Sequence, residues 1–230
     1  MNPITIVLAY YENPSMLETQ LECLEAVNGR IRERLNLIVI DDGSPTRPAE
    51  AVFRNPGIRE ARLYKMLVNI PWNQDACRNL GASEAPTEWV MFTDMDHLIP
   101  DTTLERMMTM KTVWNYAYQF SRVTAPKMEP YKRHPNSWFM SKKLYDRTGG
   151  YNEQYAGIYG TDGNFMRSVK RWGVVVPTDM PIIRVPRDVI PDASTTTLER
   201  RSEWSDLMKE AMKKSKLPHG RGMFPWKRLQ

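Results

Sequence analysis

Residues Trp89–Asp101 read WVMFTDMDHLIPD. The apolar run Trp89–Phe92 is too short for a buried helix and carries no polar alternation. It reads as a strand covered on both faces. Directly after it stand Asp94, Asp96 and His97. A carboxylate at the end of a buried strand is costly to desolvate unless a metal, a basic side chain or water compensates it.

Working outward, the same pattern recurs. ITIVLAY, residues 4–10, is β-branched and apolar, then breaks at Glu12-Asn13-Pro14. PSMLETQLECLEAV follows, with Met16, Leu17, Leu21, Leu24 and Val27 at helical spacing. LNLIVIDDGSP is a second strand ending in a turn, RLYKMLVNI a third, NQDACRNLGASEA a helix, and EWVMFTD the fourth strand. Short apolar strands alternating with helices predict an α/β fold with a mostly parallel sheet flanked by helices. The second half is less regular. KTVWNYAYQFSRV reads as one or two strands, and TAPKMEPYKRHPN as an exposed loop in which His134 is solvated. SKKLYDRTGG is a short helix ending at glycines. GTDGNFMRSVKRWG is a helix with Phe165, Met166, Val169 and Trp172 facing inward, and VVV and PIIRV are two short strands. Residues 197–214 read as an amphipathic helix, with a mobile end after Pro218.

With 230 residues, 41% of them hydrophobic, the chain is long enough for one domain with a sizeable core. The two cysteines, Cys23 and Cys77, lack metal or disulfide spacing, so the expectation is two reduced thiols and a cytoplasmic setting. No apolar run approaches the ~20 residues of a membrane span, and no basic leader precedes the first strand. Nine Lys and Arg against four Asp and Glu in residues 197–230 account for the whole net charge of +5. That basic tail suits an anionic partner such as nucleic acid or a membrane surface. Lys209, Lys213 and Lys216 share one helical face beside Lys214, and Phe224 and Trp226 follow.

In an open parallel sheet, ligands bind at the carboxyl ends of the strands. Three such ends are polar here: Tyr10-Tyr11-Glu12-Asn13, Asp41-Asp42-Gly43-Ser44, and Thr93 to His97. Together they outline a site of carboxylates and aromatics. A ring can stack on a nucleobase, and a carboxylate can accept from a base N–H.

ITIVLAYYENPSMLETQLECL, LIVIDDGSP, ACRNLGASEAPTEWVMFTDMDHLIPD and GGYNEQYAGIYGTDGNFMRSV, in that order, resemble the GT-A glycosyltransferases, and most closely the large glycosyltransferase family two. The resemblance spans residues 3 to about 175. It implies a Rossmann-like GT-A domain over 1–196, with a nucleotide-sugar half (1–100), an acceptor half (101–196) and the tail 197–230 outside it. It also implies a nucleotide-sugar donor, usually a UDP-sugar, and Mn²⁺ or Mg²⁺ at an Asp-x-Asp motif. Carried over by position, Ala9, Tyr10 and Tyr11 lie along the nucleotide, with Tyr11 stacking on the base. Asp42 meets the base N–H and Arg78 lies near the donor. Asp94 reaches ribose and metal, and Asp96 the metal. Asp162 falls on the family's acceptor-side acid and would act as base in an inverting transfer. Gly160 and Thr161 lie beside the acceptor, and Trp138 is either a sugar-stacking or a core residue. The resemblance leaves the acceptor open among a glycan, a lipid-linked sugar and a hydroxymethylated DNA base.

Two departures stand out. Thr161 replaces a Glu usual in the family. The histidine that some relatives place beyond the acceptor helix is missing from PIIRVPRD. His97 and His219 are the alternative third metal ligands. A nucleotidyltransferase would share the α/β plan, but AYYENPSM lacks its Gly-rich basic loop. An inactive nucleotide-sugar or glycan-binding module is the other rival, and the presence of Asp94, Asp96 and Asp162 together speaks against it.

Overall fold

The computed structural model describes residues 1–70, 72–158, 160–195 and 220–230. The first half runs β1 (Ile4–Tyr10), α1 (Pro14–Ala26), α2 (Gly29–Arg32), β2 (Leu35–Asp41), β3 (Glu60–Met66), α3 (Gln74–Glu84) and β4 (Trp89–Asp94). The second runs β5 (His97–Leu98), α4 (Asp101–Thr109), β6 (Tyr116–Thr124), β7 (Glu129–Tyr131), β8 (Trp138–Ser141), α5 (Lys142–Thr148), α6 (Asp162–Trp172), β9 (Val174–Arg184) and β10 (Trp226–Arg228).

All described strands join one sheet in the order β10-β3-β2-β1-β4-β8-β6-β9-β5, with β7 hairpinned onto β6. The stretch β3-β2-β1-β4 is parallel. β1, β2 and β4 are predominantly apolar and buried because both faces are covered, whereas β3 carries Glu60, Arg62 and Lys65 and is only partly buried. Ile4, Ile6 and Leu8 of β1 pack into the core shared with α1 and α4. Val7, between them, packs into the core shared with α3, α5 and α6. The register sets Ala9 opposite Asp94 and Tyr10 opposite Asp41, so the three polar strand ends form one edge. Beyond β4 the sheet continues through antiparallel β8, which pairs Phe92 with Trp138.

Two glycines are required by contact. A Cβ at Gly81 of α3 would lie 2.2 Å from Val7 Cγ1, so this glycine lets the helix sit close on β1. Gly43, at φ +73°, turns the chain after Asp42 where a Cβ would lie 2.1 Å from the Val68 carbonyl oxygen.

Several expectations need correction. VVV and PIIRV are one strand, β9, whose pairing with β6 is irregular between Gln119 and Ser121. TAPKMEPYKRHPN is not simply an exposed loop: Glu129–Tyr131 pairs with β6, and His134 turns inward. Trp172 is 39% exposed, under the guanidinium groups of Arg147 and Arg171. The segment after Pro218 is not a loose end. Trp226 pairs with Met66 and Arg228 with Tyr64, covering the open edge of β3. Buried Glu153 accepts from the Gly222 and Met223 amides, at 2.8 and 2.7 Å, and fastens the same segment to the second half. The expected helix at 197–214, its lysines Lys209, Lys213, Lys214 and Lys216, and His219 lie outside the described residues.

The Gly81 contact is testable. Gly81→Ala gains helix propensity, yet it should destabilise the fold by about 1–3 kcal/mol through overpacking. Adding Val7→Ala should recover part of that loss. A single variant as stable as the parent in urea denaturation would show that α3 can move off β1.

Candidate active site

The polar edge frames a cleft lined by Ala9, Tyr10, Tyr11, Asp42, Asp94 and Asp96, with Trp72 and Gln74 beside them. Its far wall is Ala193, Ser194 and Thr195. That wall is held from a distance. The Asp192 carboxylate accepts from the Ser15 and Met16 amides, both at 3.0 Å, and so caps α1, whose own Asn13 makes no side-chain cap. A second and wider cleft shares Trp72, Gln74, Asp94, Asp96 and Ser194 with the first. It carries Gly160, Thr161 and Asp162 at the start of α6.

The two acids of Asp41-Asp42 are divided by their surroundings. Asp41 accepts from the Ser44 and Ala49 amides, at 2.7 and 2.9 Å, and closes the turn. Asp42 reaches the cleft, with its amide donating to the Tyr10 carbonyl at 2.8 Å. Tyr10 is fully buried, and its hydroxyl donates to the Arg47 carbonyl. Tyr11 is the more accessible ring, and its hydroxyl donates to Asn69 Oδ1 at 3.1 Å.

Beneath the shared wall lies Arg78, 1% exposed. It does not line the cleft. Its Nη2 donates to Asp94 Oδ1 and to Gln74 Oε1, its Nη1 is 3.6 Å from Asp75 Oδ1, and its guanidinium carbon is 5.2 Å from the Tyr151 ring centre. Arg78 therefore positions Asp94 from below. Burial pushes the Asp94 carboxyl up, but His134, Arg78 and His97 outweigh it and hold the group at about 2. At neutral pH the cation doing this is Arg78, because burial pushes His134 down to about 4 against the pull of Asp94. The Asn136 amide donates to His134 Nδ1 at 3.3 Å. The proton of the neutral ring is then on Nε2, 3.3 Å from Asp94 Oδ2.

The turn after β4 is fixed by Gln20 of α1, whose Nε2 donates to the carbonyls of Met95 and His97, at 2.8 and 2.7 Å. His97 is buried, with Nδ1 2.9 Å from Asp96 Oδ1 and Nε2 3.2 Å from Arg122 Nη1. Nδ1 lies close to Asp96 without making a hydrogen bond, and His97 packs behind Asp96 rather than lining either cleft.

Asp94 and Asp96 offer hard oxygens suited to Mg²⁺ or Mn²⁺. Among the described residues no group of three or more His, Cys, Asp or Glu is arranged to hold a metal. Two carboxylates, completed by substrate phosphates and water, are an ordinary way to hold such an ion, so the residues fit.

Trp138 is 0% exposed and belongs to the core, 6.4 Å from Phe165 between ring centres, so it offers no sugar-stacking face. Sequence reasoning missed Gln20, Trp72, Gln74, His134, Asp192 and Ser194. Trp72, an aromatic in the polar stretch IPWNQD, carried the one local signal. The others gain their roles from partners up to 177 positions away.

The family model described as Glycosyl transferase family 2 matches residues 5–170. No curated protein matches the sequence. Among solved structures, the mannosyltransferase PcManGT from Pyrobaculum calidifontis, in complex with GDP-Man and Mn²⁺, is 16% identical with a TM-score of 0.61 over 80% of this chain and 57% of its own. GalNAc-T7 with UDP, GalNAc and Mn²⁺ is 12% identical, TM-score 0.61, over 81% and 44%. S. aureus TarS 1–349 is 14% identical, TM-score 0.63, over 83% and 63%. At these identities the likeness is one of fold, and this chain spans about half to two thirds of each structure.

Asp75 yields a pH test. Burial pushes its carboxyl up to about 6, opposed by Arg78 and a Thr161 hydrogen bond and reinforced by Asp162 and Glu153. A raised carboxyl contributes stability that is complete below its unfolded pKa, about 4, and is lost as pH rises through the folded value. Asp75→Asn removes that loss. Relative to the parent, the variant should gain about 1–3 kcal/mol between about pH 4 and pH 7 in urea denaturation. A difference that is flat with pH would mean that Asp75 ionises as an ordinary carboxylate.

Proposed function

The chain belongs to glycosyl transferase family 2, and from that premise we propose that it transfers a sugar from a nucleoside diphosphate sugar to an acceptor hydroxyl. The observation that carries this is the meeting of the two clefts at one wall, Trp72, Gln74, Asp94, Asp96 and Ser194, with Asp162 on the far side. Free thiols at Cys23 and Cys77 suit a reducing compartment, and no described helix is long and apolar enough to cross a membrane.

In this reading the nucleotide lies in the first cleft. Tyr11 stacks on the base, and Asp42 accepts from a base N–H, an edge that uracil supplies at N3. Asp94, aligned by Arg78 and His134, faces the ribose and a divalent ion, and Asp96 holds the ion. Such an ion, when bound, neutralises charge developing on the leaving diphosphate. Asp162 takes the proton of the acceptor hydroxyl. That oxygen bonds to the anomeric carbon as the bond from this carbon to the diphosphate oxygen breaks, and the electron pair leaves with the nucleoside diphosphate. Asp94 and Asp96 are committed to the donor side, which leaves Asp162 as the free acid of the acceptor cleft. One base, and no second uncommitted carboxylate among the described residues of that cleft, favour a single displacement with inversion.

Nucleotide titrations test the first cleft. UDP should bind more tightly with Mn²⁺ than with EDTA, and more tightly than GDP or ADP. Asp96→Ala should abolish the Mn²⁺ dependence, and Asp42→Ala the base preference. Identical UDP affinity with and without Mn²⁺ would refute the metal assignment, and a preference for GDP would refute the uracil pocket alone.

Turnover tests Asp162. Asp162→Asn keeps the shape but cannot take a proton, so transfer should fall ~10²-fold or more with nucleotide affinity near that of the parent. Near-parental turnover would leave Asp162 as the first residue of α6 and nothing more.

A further inference from the structure

One wall of the second cleft carries three cations: Arg122 of β6, Arg184 of β9, and Lys132 just after β7. Arg122 of β6 stands opposite Tyr131 of β7 in the hairpin register, and Thr124 stands opposite Arg184 of β9. The guanidinium carbons of Arg122 and Arg184 lie 4.5 and 5.3 Å from the Tyr131 ring centre, so one aromatic ring carries both. Lys132, next in the chain, lines the same cleft from an exposed position. None of these residues lines the donor cleft.

Their partners are the informative part. Arg122 is 6% exposed, yet no carboxylate pairs with it among the described residues. Its Nε donates to the Lys132 carbonyl at 2.8 Å, and its Nη1 lies 3.2 Å from His97 Nε2. Lys132 and Arg184 likewise form no ion pair among the described residues. The neighbouring Arg133 is different: its Nη1 donates to the carbonyls of Gln119 and Thr178, at 2.8 and 2.7 Å, and it braces β6 against β9. Lys132 and Arg184 are therefore cations left over after the structural needs of the hairpin are met. Burial disfavours the Arg122 cation, and Arg184 beside it does too, while Asp96, Tyr131 and Asp94 pull the other way without an ion pair among the described residues. An anion docked on this wall supplies a counter-charge in contact, since Asp94 is paired with Arg78 and Asp96 sits against His97.

We propose that Arg122, Lys132 and Arg184, arrayed on Tyr131, bind an anionic group of the acceptor, a phosphate or a carboxylate, while its hydroxyl lies toward Asp162. This rests on the transfer reading above and names the acceptor class: a hydroxyl-bearing molecule with a negative charge close to the reacting end. A planar guanidinium pair suits either oxyanion through parallel N–H donors.

The test titrates the full chain with glucose 6-phosphate, glucuronate and glucose, with and without UDP and Mn²⁺. At least one anionic probe should bind tenfold or more tightly than glucose, and its affinity should fall with salt. Comparison of the two anions separates a phosphate site from a carboxylate site. Lys132→Gln and Arg184→Gln, both outside the buried core, should each lower the anionic preference about 3- to 10-fold, and together bring it close to one. Equal binding of glucose and both anions, or a preference that survives the double variant, overturns the proposal. Loss of Mn²⁺-dependent UDP binding with the anionic preference intact would instead sink the transfer reading and leave the anion site standing.

Discussion

The contact between buried Arg78 and Asp94 is the interaction on which the rest of the site depends. It places a permanent cation under the end of β4 and helps to hold the Asp94 carboxyl low against the upward push of burial. Arg78 comes from α3, and α3 lies close enough only because Gly81 offers Val7 no Cβ. The same guanidinium faces Asp75 and the Tyr151 ring, and Asp75 in turn meets Thr161 at the start of α6. One buried cation thus joins the end of β4 to the start of α6. Removing one partner of such a pair typically costs about 3–5 kcal/mol, because it strands the other charge.

Around that centre the protein holds its loops through caps supplied from elsewhere in the chain. Gln20 pins the turn carrying Asp94 to His97, Asp192 caps α1 and sets the wall at Ser194, and Glu153 gathers the amides of Gly222 and Met223. Each is a polar side chain largely withdrawn from water and satisfied by backbone groups of a distant segment. Such bonds are expensive to leave unmade, which makes them effective at fixing loop positions.

Charge is organised by cleft. The first cleft is acidic, with Asp42, Asp94 and Asp96. The second adds Arg122, Lys132 and Arg184 on one wall and Asp162 on another. A divalent cation at the acidic wall would shift the balance of the second cleft further toward positive.

The amino-acid sequence by itself determined the parallel half of the sheet and its polar edge. Predominantly apolar strands of six or seven residues, spaced by helices of 3.6-residue period, point to a parallel α/β sheet, and strand ends are local features. Ala9, Tyr11, Asp42, Asp94 and Asp96 were legible for that reason, and Asp162 by its motif. The tertiary structure alone decided what each polar residue touches. It separated Asp41 from Asp42, moved Arg78 from the cleft to the support beneath it, buried Trp138, turned His134 onto Asp94, and bound residues 226–228 to the edge of β3. No local pattern encodes these outcomes, because each depends on a partner brought close by packing. The sign of a charge is written in the sequence; its counter-charge is chosen by the fold.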